Sequence, residues 1–446
     1  MAIAAIGVGV LVRAVFVLGW HRPDGYVYSD MQGYVTSGMQ LVTGTVGVRR
    51  GLAFYPPGTH LLLAAVFGVF GVGHAGKLWA DATWFGLSAV VPVFAWRLVR
   101  VLLNPVAAAM TAALCAIYPL FILYSGFFAS ETPTMAFLCG ALWLGYEAGH
   151  ARPWVGLALG VGGGLLGGAL VATRPQFLLN LALVLLALLR RFRARWRAAL
   201  GFSLGLGVVI IAVAAVNTSN AGQLTAFSEN GGVDFYLAQC PVHEVFTGHA
   251  PGPTLAGGDP VNFQLQRGHD TYFPNHLAWD QGYFLKQGLT CIRKDGIGHV
   301  VVVVRNIADL TVTTIPWPLV NEIALSRIGD VTNVLYCAAL SVVLLVLWRR
   351  RHQRALDERA WSGAGTLVAH LAMLVPVAIV FQSEPRYRVP YDVFGLALLA
   401  WFCADTLGRR RPLGHRERGR PAVSGARPDR LRSRPAGGSR RPSGRR

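Results

Sequence analysis

Stretches of about 20 mainly apolar residues, each long enough for a helix to cross the hydrocarbon core of a bilayer, recur along this chain and constrain its fold more than any other feature. With 53% hydrophobic and 14% charged residues among 446, it is too apolar and too poor in charge for a soluble protein of its length. It therefore reads as an all-α polytopic membrane protein. Apolar runs predict about ten transmembrane helices, near 1–20, 78–97, 105–124, 131–148, 155–173, 176–189, 197–216, 330–348, 361–381 and 388–406. Arg13 interrupts the first run and Trp20-His21-Arg22 is no small-residue cleavage site, so that run reads as a retained span rather than a signal peptide.

The net charge of +19 falls in blocks beside the spans. Lys and Arg collect in cytoplasmic loops, which turns Arg97 with Arg100, Arg190 through Arg197 and Arg349 through Arg359 inward. The end of the chain, 409–446, has 14 Arg against Glu417 and Asp429, a net +12. Its Arg, Pro, Gly and Ser cannot bury a core, so it reads as a disordered basic cytoplasmic tail drawn to anionic lipid headgroups rather than to nucleic acid. The apolar stretch Gly58 to Gly73 would invert these blocks if it crossed, so it reads as a re-entrant or surface helix.

Four regions follow. Residues 1–216 form a membrane module that includes a first external loop, 21–77, carrying surface helices. Residues 217–329, rich in turn signals, form a small irregular extracytoplasmic domain, 330–408 the C-terminal transmembrane helices, and 409–446 the tail. Within the second region Val300 to Val304 is too short to span and reads as an amphipathic or surface helix. Cys240 and Cys291 both lie there, and an external location would let them pair; the sequence leaves the pairing open.

This topology brings outside the charges that stand at span ends: Asp30, Glu131, Arg174, Arg386 and Arg388. Each has a bland reading. Ser29 or Asp30 can cap a helix start, Ser130 and Glu131 can do the same at the next span, and Arg174 can snorkel to headgroups. Gathered on one face they acquire a chemistry. A carboxylate at the membrane surface can act as a general base on an acceptor hydroxyl, with Asp30 in that role. Glu131 supplies a second acid that could position an acceptor or hold a divalent cation. Arginine forks match phosphate oxygens, so Arg174, Arg386 and Arg388 could neutralise a departing lipid phosphate. Tyr34, Tyr55 and Arg49 could line a headgroup groove. No residue spacing suggests zinc.

The order of these pieces resembles the GT-C class of integral-membrane glycosyltransferases, particularly the protein O-mannosyltransferase and aminoarabinose transferase branch. The pieces are Ser29-Asp30-x-x-Gly33-Tyr34, Tyr55-Pro56-Pro57-Gly58, Pro119 leading to Ser130-Glu131, Thr173-Arg174-Pro175, and Glu384-Pro385-Arg386-Tyr387-Arg388-Val389-Pro390. The resemblance implies a polyprenyl-phosphate sugar donor, Asp30 as catalytic base, Glu131 as second-loop acid, and Arg174, Arg386 and Arg388 around the donor phosphate. Relatives often carry an Asp-Glu pair in the first loop, whereas Met31 follows Asp30 here.

The expected function is a multi-pass plasma-membrane glycosyltransferase acting on the extracytoplasmic side. It would pass a sugar, with inversion, to a hydroxyl of a lipid, glycan or protein acceptor. The alternative is a lipid or sugar transporter or flippase without chemistry. Transporters concentrate ionisable groups near the midplane of repeated halves, whereas this chain gathers its charges at span ends.

Overall fold

A computed structural model of the chain describes residues 2–46, 49–190, 192–240, 279–312, 318–319, 322–349, 358–381 and 384–409. The expected disordered tail beyond Arg409 and the central part of the 217–329 region lie outside the described residues. The described residues are almost wholly helical. In chain order the helices are α1 (Ala2–Ala14), α2 (Asp30–Thr43), α3 (Gly58–Phe70), α4 (His74–Leu102), α5 (Pro105–Ile117), α6 (Pro119–Ser125), α7 (Glu131–Ala148), α8 (Pro153–Thr173) and α9 (Leu178–Arg190). There follow α10 (Phe192–Ala221), α11 (Gly231–Gln239), α12 (Gln281–Asp295), α13 (His299–Val312), α14 (Ile323–Arg349), α15 (Glu358–Ala372), α16 (Leu374–Val380), α17 (Pro385–Arg388) and α18 (Asp392–Arg409).

Among the described residues, six helices are long and apolar enough to cross a membrane, or seven if α5 and α6 form one broken span. Length and composition thus do not reach the ten crossings expected. Helices do occupy the remaining predicted spans, but α9 is short and α7 carries Glu131 and Glu147 near its ends. The stretch set aside as non-spanning is the 13-residue α3. At 1.5 Å per residue it is about 20 Å long, short of a hydrocarbon core of about 30 Å.

Helix α7 is buried along most of its length, packed by α4 on one side and α8 on the other. Glycine governs the α8–α10 contact. Gly156, Gly160, Gly164 and Gly168 recur every fourth residue, and a Cβ at Gly164 would come 2.2 Å from the Phe202 carbonyl oxygen. Small residues at this spacing let two membrane helices approach until their backbones touch.

The break between α5 and α6, bent by 49°, falls at Tyr118-Pro119, where proline removes a backbone donor. Arg13, the charge that interrupts the first apolar run, answers this break. Its guanidinium is wholly buried and donates to the Cys115 carbonyl at 2.9 Å, the Ala116 carbonyl at 2.5 Å and Ser88 Oγ at 2.8 Å. The carbonyls at the end of α5 thus find donors where no water would reach them.

In the 217–329 region, α11 and α12 pack through Val233 and Phe284, and a disulfide joins Cys240 to Cys291. Buried Glu229, just ahead of α11, accepts from Arg50 at 2.8 and 3.0 Å, and its amide donates to the Ala53 carbonyl at 2.8 Å. These bonds fix the region to the first loop beside Tyr55.

Candidate functional site

Asp30 is the first residue of α2, yet the helix start does not explain its side chain. Ser29 ahead of it makes no capping hydrogen bond and holds φ +51°, a region non-glycine residues rarely adopt. That backbone accompanies a carboxylate turned away from its own helix. Asp30 Oδ1 accepts from the Tyr55 hydroxyl at 3.0 Å, and Oδ2 accepts from Arg386 Nη1 at 2.9 Å. Burial, with Asp30 beside it, holds the Tyr55 phenol well above its ordinary pKa, so it remains a donor to the carboxylate.

A second pair lies alongside. At the α8–α9 turn, Arg174 donates from Nη2 to Glu131 Oε1 at 2.5 Å and from Nε to Ser130 Oγ at 3.1 Å. Glu131 is fully buried, and its other oxygen, Oε2, has no hydrogen-bond partner among the described residues. Tyr34 stands between the two pairs: its ring is edge-on to Tyr55 at 5.1 Å, and its buried phenol lies within the fields of Asp30, Arg174 and Glu131.

Tyr387 completes the connection. The guanidinium carbons of Arg174 and Arg386 each lie 5.1 Å from its ring centroid. Two cations over the ring of a half-buried tyrosine are held by the ring quadrupole as well as by their acids. Arg386 also pairs through Nε with Glu384 at 2.6 Å. Burial raises the Glu384 carboxyl above its usual range, with Asp30 and Glu131 adding to the rise against the lowering by Arg386 and Arg174. Asp234 of α11 faces the same charges. Burial raises its pKa to about 7; Arg386 and Arg174 oppose the rise, and Asp30 and Glu384 reinforce it. Its carboxylate accepts from Asn230 at 3.0 Å.

Five expected residues, Asp30, Glu131, Arg174, Arg386 and Tyr55, thus meet in one place, with Tyr34 between them. Two do not join. Arg49 is exposed in the short turn before Tyr55. Arg388, expected at the donor phosphate, is 2% exposed and turned into a separate knot. It donates to Asp392 at 2.8 Å, to the Leu310 carbonyl of α13 at 2.9 Å and to Cys337 Sγ at 3.0 Å, while Tyr118 donates to the same Asp392 at 2.8 Å. These contacts commit the Arg388 fork to helix packing. Glu384, Tyr387 and Asp234 are site residues beyond those expected. The first two flank Arg386 in the quoted motif, whereas Asp234 has no motif around it. Among the described residues no group of three or more His, Cys, Asp or Glu could hold a metal ion, so the cation-holding role considered for Glu131 finds no set of partners there.

Residues 55–218 match the family model described as Dolichyl-phosphate-mannose-protein mannosyltransferase. No curated protein matches the chain. Among solved structures it is similar to the oligosaccharyltransferase of Archaeoglobus fulgidus. In the form tethered to an acceptor peptide the identity is 14%, the TM-score 0.46, and the match covers 92% of this chain and 50% of that one. For the same organism's oligosaccharyltransferase AglB, in complex with an inhibitory peptide and a dolichol-phosphate, the figures are 14%, 0.45, 95% and 52%. The apo form gives 16%, 0.47, 92% and 51%. The chain thus spans about half the length of the solved structures it matches. The family match falls within the membrane module, whose loop motifs resemble those of the GT-C glycosyltransferases.

Proposed function

We propose that this protein transfers a sugar, with inversion, from a polyprenyl monophosphate to an acceptor hydroxyl at the extracytoplasmic face of the membrane. The observation that carries the reading is the convergence of Arg174 and Arg386 on Tyr387, with Arg386 also bonded to Asp30. The two guanidiniums offer a clamp for a phosphate, and a carboxylate stands next to it.

In the proposed reaction, donor phosphate oxygens take over hydrogen bonds that Arg386 and Arg174 otherwise give to Asp30 and Glu131. Asp30, still bonded to Tyr55, then accepts the proton of the acceptor hydroxyl. The acceptor oxygen bonds to the anomeric carbon from the side opposite the phosphate, and the bond from that carbon to the phosphate oxygen breaks. The phosphate leaves with the electron pair, its charge met by the guanidiniums, so no acid is needed to protonate it. Glu131 Oε2 is the group available to orient an acceptor, which is a hydroxyl of a lipid, glycan or protein.

Ten crossings complete the reading: the six long helices, the α5–α6 pair, α7, the segment through α9, and α18. This number keeps the basic blocks cytoplasmic and the site outside. The disulfide between Cys240 and Cys291 supports an external 217–329 region, since such bonds persist in oxidising compartments. The test is transfer of label from synthetic polyprenyl-phosphate sugars to endogenous acceptors in membranes holding the protein. Label retained wholly on the donor, across a panel of hexosyl and pentosyl donors, would sink the reading.

A further inference from the structure

Helix α13 is inside out. Its polar residues His299 and Asn306 face the protein and are 7% and 6% exposed, while Val300, Val301 and Val304 face outward at 60%, 72% and 59%, with Arg305, paired to Asp309, as the exposed charge of the helix. The turn ahead of it carries Ile297, 94% exposed. A helix bathed in water shows the reverse arrangement, so the outward surroundings of this one are apolar. On α12 the apolar face continues with Leu285 and Leu289, four residues apart and 42% and 45% exposed. Lys286, Arg293 and Lys294 are exposed beside it. Apolar side chains at a tip, rimmed by cations, match a leaflet with anionic headgroups. A second copy meeting this face in the same register would set Arg293 and Lys294 against their own kind, a repulsive arrangement.

The inward row of α13 leads to the site. His299 Nε2 pairs with Gln239 Oε1 at 2.8 Å, and Gln239 Nε2 donates to the Ile379 and Val380 carbonyls at 2.8 and 3.2 Å. Asn306 donates to the Ala238 carbonyl at 3.0 Å, and the Leu310 carbonyl accepts from Arg388, two residues beyond Arg386. Helix α13 therefore touches both α11, which bears Asp234, and the turn that bears Arg386.

We propose that the segment from Leu285 to Val304 is seated in the leaflet on the side of the site, through contact with anionic lipid, and that this seating sets the height of the Arg386 turn relative to the donor phosphate. The seating stands independently; its effect on the donor rests on the glycosyltransferase reading. The test uses the full chain in phosphatidylcholine nanodiscs with or without phosphatidylglycerol. Ile297→Cys carries a nitroxide, with the unsubstituted chain labelled in parallel as the blank. The expected label is relaxed by oxygen and shielded from a water-soluble nickel chelate. Arg293→Glu with Lys294→Glu should restore access of the chelate in discs containing phosphatidylglycerol and raise the donor KM several-fold with kcat little changed. Free access of the chelate in the parent variant, or shielding that grows with protein concentration, would overturn the seating. A shielded label with an unmoved KM would overturn the link to the site. Failure of the catalytic reading registers separately, as full transfer by Asp30→Asn, and leaves the depth measurement untouched.

Discussion

Asp30 and Arg386, 356 residues apart in sequence, are joined by a 2.9 Å bond from Nη1 to Oδ2. This pair couples two roles, because the cation suited to phosphate also covers the carboxylate suited to deprotonation. With Arg386 on Asp30, Oδ2 is occupied by the guanidinium and is not open to an incoming hydroxyl. A phosphate that draws Arg386 away leaves Asp30 with Tyr55 alone. Donor binding and base activation then become one event.

Asp30→Asn keeps the shape of the side chain and removes its capacity to take a proton. Transfer should be abolished while the protein stays in the membrane at the ordinary level, read by label transfer and by immunoblot of the membrane fraction. Full activity in this variant would remove Asp30 from the chemistry.

Arg386 and Arg388 should separate cleanly. Arg386→Ala is expected to cut transfer by about 100-fold or more, the range for losing a donor to a developing anion, with a smaller fall in melting temperature than Arg388→Met because its carboxylate partners are less fully buried. Arg388→Met leaves Asp392, fully buried, without its guanidinium, and stripping one partner from a buried pair costs about 3–5 kcal/mol. Its signature is lower thermal stability of the purified protein. An Arg388→Met protein that melts as the parent does and loses only donor affinity would restore it to the phosphate site.

That divergence shows what the sequence conveyed and what it withheld. Hydropathy located the helices and the span-end charges, and motif order tied Asp30, Glu131, Arg174 and Arg386 to one face. Two residues apart on a helical turn, however, Arg386 and Arg388 point to opposite sides. Asp392, four residues after Arg388, was the visible sign that this arginine pairs with the start of the next helix, α18. Asp234 was not legible, because it reaches the site only through the clamp of Glu229 on Arg50 and the packing of α11, contacts spanning large sequence separations. The number of crossings also resisted reading, since α7 and α9 carry charge or lack length while still lying among the spans.

Glu131 and Arg174 form the second pair, and a double-mutant cycle apportions it. Arg174→Met alone leaves the buried Glu131 uncompensated and should destabilise the protein by about 3–5 kcal/mol. Arg174→Met with Glu131→Leu should recover much of that loss, because neither charge is left behind. Melting temperatures of these two variants and of Glu131→Leu alone report the coupling, and strict additivity would show that the pair contributes nothing. Transfer should stay low in both variants that lack Arg174, since refilling the volume does not restore a cation for phosphate.

Asp234 gives the site a pH signature whose sign is fixed. Burial raises its folded pKa to about 7, against about 3.9 for a free aspartate. Between those values the folded protein holds a proton that the unfolded chain has released, so folding stability declines as pH rises from about 4 to about 7 and levels off above, where both forms are ionised. Glu384, also raised, adds a slope of the same sign. Asp234→Asn removes only its own share, so its melting temperature should exceed that of the parent by more at pH of about 8 than at about 5. Parallel melting curves across that range would show that burial does not hold the Asp234 carboxyl above its ordinary range, and its enclosure by α11 beside the site would be refuted.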